Sequence, residues 1–220
     1  MRVGVTVDEI TVGDAPAAWT ALGFALDGDT LALGPVRLRA AGPEAGKGLV
    51  GWSLRGLGES ELDEIDGLPT AYSERPLPDE PPAHPNGVTG LDHVVAITPR
   101  LERTIAALEA VGLDLRRIRE EPTPAGAPRQ AFFRLGPTIL EVVQEPADVA
   151  AQNGPDRPAF FWGIALLAPD LEATVAALGE DRVSEIRTAI QPGRQIATLR
   201  RAAGLSLPVA LMTPDAGRAP

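Results

Sequence analysis

The sequence contains no cysteine, two histidines and one tyrosine among its 220 residues. The absence of cysteine excludes disulfides, thiolate metal sites and cysteine nucleophiles, and it is what we expect of a cytoplasmic protein. The scarcity of histidine limits mechanisms that need several imidazoles. Neither a glycine-rich phosphate loop of standard spacing nor a Gly-x-Ser-x-Gly motif occurs, so nucleotide-dependent and serine-hydrolase chemistry have no support.

Basic residues are too few for a polyanionic partner. The chain has 20 Lys and Arg against 30 Asp and Glu, a formal net charge of −10. Nucleic acids and anionic membranes bind basic surfaces, so neither is an expected partner. The longest strongly apolar stretch, residues 158–169, is too short to span a bilayer as a helix. We therefore expect a globular protein with one large domain or two small ones.

Two segments of the chain are similar to each other. Residues 91–101 (LDHVVAITPRL) align without a gap with residues 161–171 (FWGIALLAPDL), which places His93 opposite Gly163. This similarity predicts a repeated unit in which a strand is followed by a helix and further strands.

A third segment extends the repeat to the first half of the chain. Residues 33–41 (LGPVRLRAA) align with residues 135–143 (LGPTILEVV), which places Arg39 opposite Glu141. Only one copy of the unit therefore carries both a histidine and a glutamate at its polar positions. We expect the chemistry of the protein there.

Start and stop signals delimit the elements of the third unit. A strand over 91–97 is followed by Thr98 as the expected N-cap and Pro99 at the first helical position, and Gly112 is the expected C-terminal cap. The other predicted elements are strands at 2–11, 30–33, 36–41, 113–118, 160–167 and 182–187, helices at 14–22 and from Pro169 to Gly179, and a hairpin that turns at Gly136 and Pro137.

A proline-rich segment separates the two halves of the chain. Residues 75–90 contain five prolines and two glycines, which is typical of an extended connector. His84 lies inside this segment, and we expect it to be exposed. An acidic helix is predicted just before the connector, over 59–66. Trp19 and Trp52 are expected core residues.

With these elements in place, the chain resembles the vicinal oxygen chelate superfamily, which includes glyoxalases, bleomycin-resistance proteins and extradiol dioxygenases. The resemblance implies an α+β fold in which βαβββ modules pair into cup-shaped mixed sheets around a small-molecule site. It is strongest over about 90–214. It implies a divergent, shortened module pair at 1–74, a linker at 75–89 and a two-module domain at 90–215.

The resemblance also implies positions for metal ligands, in the first and last strand of each paired module. These positions hold His93 and Glu141 in the third unit but Gly163 and Ala210 in the fourth, and neither of the latter can bind a metal. The site would therefore hold a divalent metal such as Zn, Fe, Mn, Ni or Co through two of four family ligands. The corresponding residues of the first unit are Gly4 and Arg39.

Three interpretations of His93 and Glu141 remain open at this point. The two side chains could satisfy each other through a hydrogen bond across neighbouring strands, since an unpaired buried polar group is unfavourable. They could bind a divalent metal, and water or substrate oxygen atoms would then complete its coordination shell. They could also be a metal-free polar anchor in a ligand-binding cup.

Further candidates for ligand binding follow from the repeat. The pair Arg129 and Gln130 recurs as Arg194 and Gln195, and the arginines could bind a carboxylate or act as exposed edge-strand charges. Trp162 belongs to an aromatic cluster, of which one or two members are expected to line a pocket.

The resemblance implies a small-molecule enzyme of the lyase, isomerase or epimerase type, in which His93 and Glu141 are metal ligands or a general acid/base pair. The alternative is a metal-free binding protein that sequesters its ligand. A third possibility is a structural or oligomerisation role. A monomer and a homodimer are both compatible with the number of modules.

Overall fold

The computed structural model describes residues 4–57, 62–78, 83–124 and 126–215. The helices are α1 (Pro16–Thr20), α2 (Leu101–Ala110), α3 (Ala147–Asn153) and α4 (Leu171–Leu178). The strands are β1 (Thr6–Val12), β2 (Thr30–Leu33), β3 (Val36–Ala40), β4 (Leu49–Arg55), β5 (Glu64–Ile65), β6 (Leu68–Tyr72), β7 (Gly90–Thr98), β8 (Asp114–Arg119), β9 (Gln130–Leu135), β10 (Thr138–Gln144), β11 (Phe160–Leu167), β12 (Arg187–Thr188), β13 (Gln195–Thr198) and β14 (Val209–Met212).

These strands form two mixed sheets. One has six strands in the order β2-β3-β1-β4-β6-β5, and the other has eight in the order β12-β13-β14-β11-β7-β10-β9-β8. Each repeated unit of the sequence is called a module from here on. In the third module the first strand, β7, pairs in parallel with the last, β10, and in the fourth module β11 pairs in parallel with β14. The α+β class and the repeated βαβββ modules are confirmed.

The described residues form two compact units, each with its own core. The first unit comprises the described residues within 1–8, 51–75 and 93–162, and the second comprises those within 9–50, 76–92 and 163–220. In the first unit Trp52 packs edge-on against Phe161 with ring centroids 5.1 Å apart, and in the second Trp19 packs against Phe24 at 5.2 Å. Both tryptophans are buried, as expected. The division at 1–74, 75–89 and 90–215 stays a prediction.

Helix α2 covers one face of the third module. Its apolar stripe, Leu101, Ile105 and Leu108, is buried, which agrees with the spacing in the sequence. The helix begins two residues later than expected, with Arg100 at the N-cap. The reason is that Thr98 belongs to β7, where it pairs with Gln144 of β10, so its backbone continues the strand instead of opening the helix.

Two other predictions of local structure were wrong. Helix α4 begins at Leu171 because Asp170 is its N-cap, with a side-chain oxygen that accepts a hydrogen bond from the Ala173 amide at 2.9 Å. The acidic helix over 59–66 is contradicted by β5, which forms a short antiparallel pair with β6. Residues 58–61 lie outside the described residues. None of the described helices has the length and apolarity that a membrane span requires.

His84 is buried, so its expected exposure was wrong. Only 5% of the residue is exposed. Its Nδ1 accepts a hydrogen bond from the Ala25 amide at 3.1 Å, and its Nε2 lies 2.8 Å from the Ala32 carbonyl oxygen. Because Nδ1 is an acceptor, the imidazole is the neutral tautomer that donates through Nε2. The histidine therefore attaches the connector to the second unit.

Gly163, the counterpart of His93 in the fourth module, is required by close backbone packing. A Cβ atom added there would lie 2.6 Å from the carbonyl oxygen and 3.1 Å from the Cβ of Pro208. That carbonyl oxygen accepts a hydrogen bond from the Ile164 amide at 3.1 Å. A histidine at this position therefore has no space, which explains in physical terms why the fourth module lacks the site.

This packing predicts a measurable loss of stability. Gly163→Ala is expected to lower the free energy of unfolding by about 1–3 kcal/mol, because the added methyl group forces the Pro208 segment to move. Gly4→Ala is the matched control, since a Cβ there meets no atom within 4 Å. Urea unfolding followed by tryptophan fluorescence measures both variants. Equal stability of the two variants would contradict the packing explanation.

Candidate functional site

The parallel pairing of β7 with β10 brings His93 and Glu141 together. His93 lies directly opposite Ile139, and Glu141 lies opposite Val95, so the two polar residues are diagonal neighbours on one face of the sheet. His93 Nε2 is 3.6 Å from Glu141 Oε2. Each side chain is 13% exposed. The two groups therefore meet at a partly covered position that solvent still reaches.

Gln130 is the third member of this cluster. It is the first residue of β9, where it pairs with Val143 and is buried. Its Nε2 donates a hydrogen bond to Glu141 Oε1. Its Oε1 is buried and has no hydrogen-bond partner among the described residues. Of the predicted site residues, the structure thus brings together His93, Glu141 and Gln130.

Three strands extend this polar face away from His93. In the antiparallel ladders Glu141 lies opposite Phe132, and Phe132 lies opposite Arg117 on β8. The Arg117 guanidinium carbon is 5.2 Å from the centroid of the Phe132 ring. Sequence reasoning did not find Arg117, because the register of β8 shifts between Leu115 and Arg117. Phe132 is two residues after Gln130 in β9, so the alternation of the strand places both on the same face and could have identified Phe132 as part of the site.

Arg129 is engaged by two acidic side chains. Its guanidinium donates to Glu120 at 2.7 and 2.9 Å and also to Glu102. Hydrogen bonds to Glu120 and Glu102 raise the pKa of Arg129, and the hydrogen bond from Arg129 lowers the pKa of each carboxyl group. The side chain of Arg129 is 26% exposed, so the cluster lies at the surface. A role of Arg129 in ligand binding stays a prediction.

Arg194 lies in a buried ion pair within the second unit. Its Nη2 is 2.8 Å from Asp92 Oδ1, its Nε donates to the Thr213 carbonyl oxygen at 2.6 Å, and both charged side chains are 6% exposed. The neighbouring Gln195 is exposed, and its backbone N–H donates a hydrogen bond to the Thr213 hydroxyl at 2.9 Å. Trp162, on β11 in the first unit, is 49% exposed. Ligand binding by these residues stays a prediction.

The corresponding positions in other modules use different contacts. Ala210 of β14 lies opposite Ala165 of β11. Arg39 of β3, the counterpart of Glu141, has its Nε 3.2 Å from Glu9 Oε1. The third module therefore differs from the first and the fourth in having a facing imidazole and carboxylate.

The spacing of the cluster suits one shared metal ion but supplies few ligands. Metal bonds to imidazole nitrogen and carboxylate oxygen are about 2.0–2.2 Å long, so donor atoms that share an ion lie within about 4.2 Å of each other. The 3.6 Å between His93 and Glu141 meets this condition. No group of three or more His, Cys, Asp or Glu suited to a metal occurs among the described residues. The unpaired Gln130 amide oxygen is a further donor beside Glu141.

A cavity of about 400 Å³ lies near the ends of β7 and β10 and is lined in part by Pro99, Arg103, Gln144 and Glu145. Successive residues of a strand point to opposite faces, so Gln144 lies on the face opposite to Glu141 and Val143. The cavity is therefore separate from the His93 cluster. The cluster, and not the lining of the cavity, pairs an imidazole with a carboxylate.

The buried ion pair of Arg194 predicts a structural effect of substitution. Arg194→Gln is expected to lower the free energy of unfolding by about 3–5 kcal/mol, because Asp92 loses a buried cationic partner. Arg187→Gln is the control, since Arg187 lies exposed on the adjacent strand β12 and is expected to change stability by about 0.5 kcal/mol or less. Thermal and urea unfolding measure both. An Arg194→Gln protein as stable as the control would show that the ion pair is not structural.

Comparison with solved structures shows the fold. A xylose isomerase-like TIM barrel/4-hydroxyphenylpyruvate dioxygenase fusion protein is 14% identical, with a TM-score of 0.62 over 98% of this chain and 49% of that chain. Methylmalonyl-CoA epimerase from Mycobacterium tuberculosis is 20% identical, with a TM-score of 0.48 over 60% of this chain and 91% of that chain. A Streptomyces coelicolor methylmalonyl-CoA epimerase variant in complex with 2-nitronate-propionyl-CoA is 21% identical, with a TM-score of 0.48, and the match covers 60% of this chain and 99% of that chain.

Comparison of sequences identifies the family. No curated protein is similar enough to this chain to count as a relative. The family model of the Glyoxalase/Bleomycin resistance protein/Dioxygenase superfamily matches residues 90–203, which is more than half of the chain and includes His93, Gln130 and Glu141. The chain therefore belongs to the Glyoxalase/Bleomycin resistance protein/Dioxygenase superfamily.

Proposed function

We propose that this chain is a glyoxalase-type enzyme of the lyase, isomerase or epimerase class, which moves a proton at a carbon atom next to a carbonyl group. The observation that supports this proposal is the approach of His93 Nε2 to 3.6 Å from Glu141 Oε2 on a partly exposed sheet face. This separation is within ion-pair range and slightly longer than a hydrogen bond. A substrate group that reaches one of them also reaches the other.

The two side chains have complementary roles in this proposal. Glu141 Oε2 accepts the proton from the carbon atom, whose C–H electron pair moves to form the enolate. His93 Nε2 donates a hydrogen bond to the carbonyl oxygen and stabilises the negative charge that develops there. Return of the proton from Glu141 to a neighbouring atom completes an isomerisation. Delivery of a proton from His93 to the opposite face of the same carbon completes an epimerisation, after which the proton on Glu141 is exchanged through solvent to His93. No electron acceptor or donor is needed.

Gln130 supports the base by orientation. Its amide donates to Glu141 Oε1, so the other carboxylate oxygen, Oε2, is directed toward His93. The burial of Gln130 restricts its rotation and so restricts that of the carboxylate. A preorganised base loses less entropy when the substrate binds.

His93 and Glu141 are also the residues that would hold a divalent metal, and the Gln130 amide oxygen is a further polar atom of the cluster that has no hydrogen-bond partner among the described residues. When bound, such an ion supplies Lewis-acid stabilisation of a substrate oxygen. The orientation of Glu141 by Gln130 and the placement of the substrate against β9 and β10 remain tasks of the protein.

Exchange of substrate protons with solvent tests the proposed reaction. In D₂O, we expect the wild-type protein to accelerate deuterium incorporation next to the carbonyl of at least one probe among 4-oxopentanoate, dihydroxyacetone phosphate and methylmalonyl-CoA, measured by proton NMR. Glu141→Gln and His93→Gln are each expected to slow it about 100-fold or more, the usual contribution of general acid–base catalysis. The control is Glu109→Gln, an exposed glutamate of α2.

Two outcomes would contradict the proposed reaction. One is a wild-type protein that accelerates exchange of none of the three probes, and the other is a Glu141→Gln variant as active as Glu109→Gln. Ligand-dependent thermal stabilisation without any exchange would instead support a binding protein that sequesters its ligand.

Metal content is a separate prediction. After dialysis against Mn²⁺, Fe²⁺, Co²⁺, Ni²⁺ or Zn²⁺, the wild-type protein is expected to retain at most about one ion per chain, weakly, because the site has few protein ligands. Elemental analysis is expected to show loss of that ion in His93→Ala and its retention in Glu109→Gln. His84 does not compete, since backbone groups engage both of its ring nitrogens. An ion retained equally by His93→Ala would exclude this site.

A further inference from the structure

A row of side chains leads from the proposed reacting pair to an exposed arginine. Cross-strand pairing places Glu141, Phe132 and Arg117 side by side on β10, β9 and β8. The contact between Arg117 and the Phe132 ring confirms that both lie on the same face, and the contact between Gln130 and Glu141 shows the same for the next row. One continuous surface therefore joins the base to the guanidinium.

Arg117 differs from the neighbouring arginines because its guanidinium forms no ion pair with a carboxylate among the described residues. Arg116 is 3.0 Å from Asp114, and Arg129 is held by Glu102 and Glu120. Within the part of the chain that the structure describes, Arg117 takes part in no ion pair, and its guanidinium makes a cation–π contact with the Phe132 ring. Its fork of N–H donors therefore remains available to a ligand.

A second arginine lies next to Arg117 on the same face. Arg119 is two residues along β8 and pairs with Gln130 across the ladder. Its Nε is 3.5 Å from Glu121, a carboxylate that is 83% exposed, and such exposed ion pairs are weak. An incoming oxyanion can therefore compete with Glu121 for Arg119.

We propose that this face binds substrates that carry an oxyanion, a carboxylate or a phosphate, in addition to the reacting carbonyl. Arg117 binds the oxyanion, with Arg119 beside it, while the carbonyl lies at His93 and Glu141. This assignment of substrate class rests on the proposed function for the reacting end of the molecule. The proposed anion-binding residue is therefore Arg117 and not Arg129 or Arg194, because the side chains of Arg129 and Arg194 already bind carboxylates of the protein.

The geometry limits the size of such a substrate. Neighbouring strands are about 4.8 Å apart, so two strand steps place the Cβ atoms of Arg117 and Glu141 about 10 Å from each other. Phe132 lies between them and is partly exposed, so it offers an apolar surface for the middle of the ligand. A short carbon chain or a ring between carbonyl and oxyanion fits this spacing.

The charge of the rest of the protein makes this face selective. The net charge of −10 repels anions over most of the surface, so an anionic ligand is attracted only where positive charge is concentrated. Arg117 and Arg119 supply such a concentration on one edge of the sheet. Binding through them is expected to weaken as salt concentration rises, since Arg117 is exposed and Arg119 is partly exposed to solvent.

Binding of matched charged and uncharged probes tests this proposal. The pairs are 4-oxopentanoate with its methyl ester, and dihydroxyacetone phosphate with dihydroxyacetone, which separate a carboxylate from a phosphate preference. Ligand-detected NMR or calorimetry is expected to show wild-type protein binding at least one charged probe about 10-fold more tightly than its uncharged partner. Arg117→Gln is expected to abolish that difference, and Arg117→Lys to retain part of it.

The matched control is Arg116→Gln, which removes the same charge from the adjacent position and is expected to leave the preference unchanged. Circular dichroism and thermal unfolding verify that each variant is folded. The proposal is contradicted if wild-type protein does not prefer the charged probes, or if Arg117→Gln prefers them as strongly as Arg116→Gln.

Failure of this proposal is distinguishable from failure of the proposed reaction. Binding is measured without turnover, so a charge preference that depends on Arg117 in a protein that exchanges no protons would reject the reaction alone. Exchange that depends on Glu141 but shows the same KM in Arg117→Gln and Arg116→Gln would reject the oxyanion site alone.

Discussion

The parallel register of β7 and β10 is the constraint on which the candidate site depends. It places Ile139 opposite His93 and thereby makes Glu141 a diagonal neighbour of the imidazole, although the two residues are far apart in the chain. A shift of this register by one residue would turn Glu141 to the face that α2 covers. The buried residues Leu140 and Val142 oppose such a shift, because they would then leave the apolar core between β10 and α2 and become exposed on the other face of the sheet.

The repeated module serves different physical purposes at equivalent positions. In the third module the first strand carries an imidazole, whereas in the fourth the same position is a glycine against which Pro208 packs closely. In the first module the last strand carries Arg39, which pairs with Glu9. The modules therefore share the same backbone pairing between their first and last strands. They differ in the side chains at equivalent positions, which form a polar cluster in the third module and packing or ion-pair contacts in the others.

Local periodicity was sufficient for most of the architecture. Alternation, capping residues and the Gly-Pro turn predicted β7, the hairpin of β9 and β10, and β11, and they placed His93 and Glu141 in strands of the same module. The errors occurred where a neighbouring element decided the outcome. Thr98 continues β7 because Gln144 pairs with it, and His84 is buried because the backbone at Ala25 and Ala32 binds its ring.

The sequence by itself determined the repeated strand–helix–strands unit and the one copy that carries both a histidine and a glutamate, because these follow from spacing along the chain. Its resemblance to the family implied that the unit is a βαβββ module. Only the tertiary structure decided which charged groups meet. Arg129 and Arg194 acquire carboxylate partners from other segments, and the irregularity at Arg116 turns Arg117 toward Phe132. Hydrogen-bonded pairs between distant segments leave no trace in local periodicity, so they are not readable from it. The bulge in β8 breaks the alternation of that strand at a position that no turn or capping residue marks.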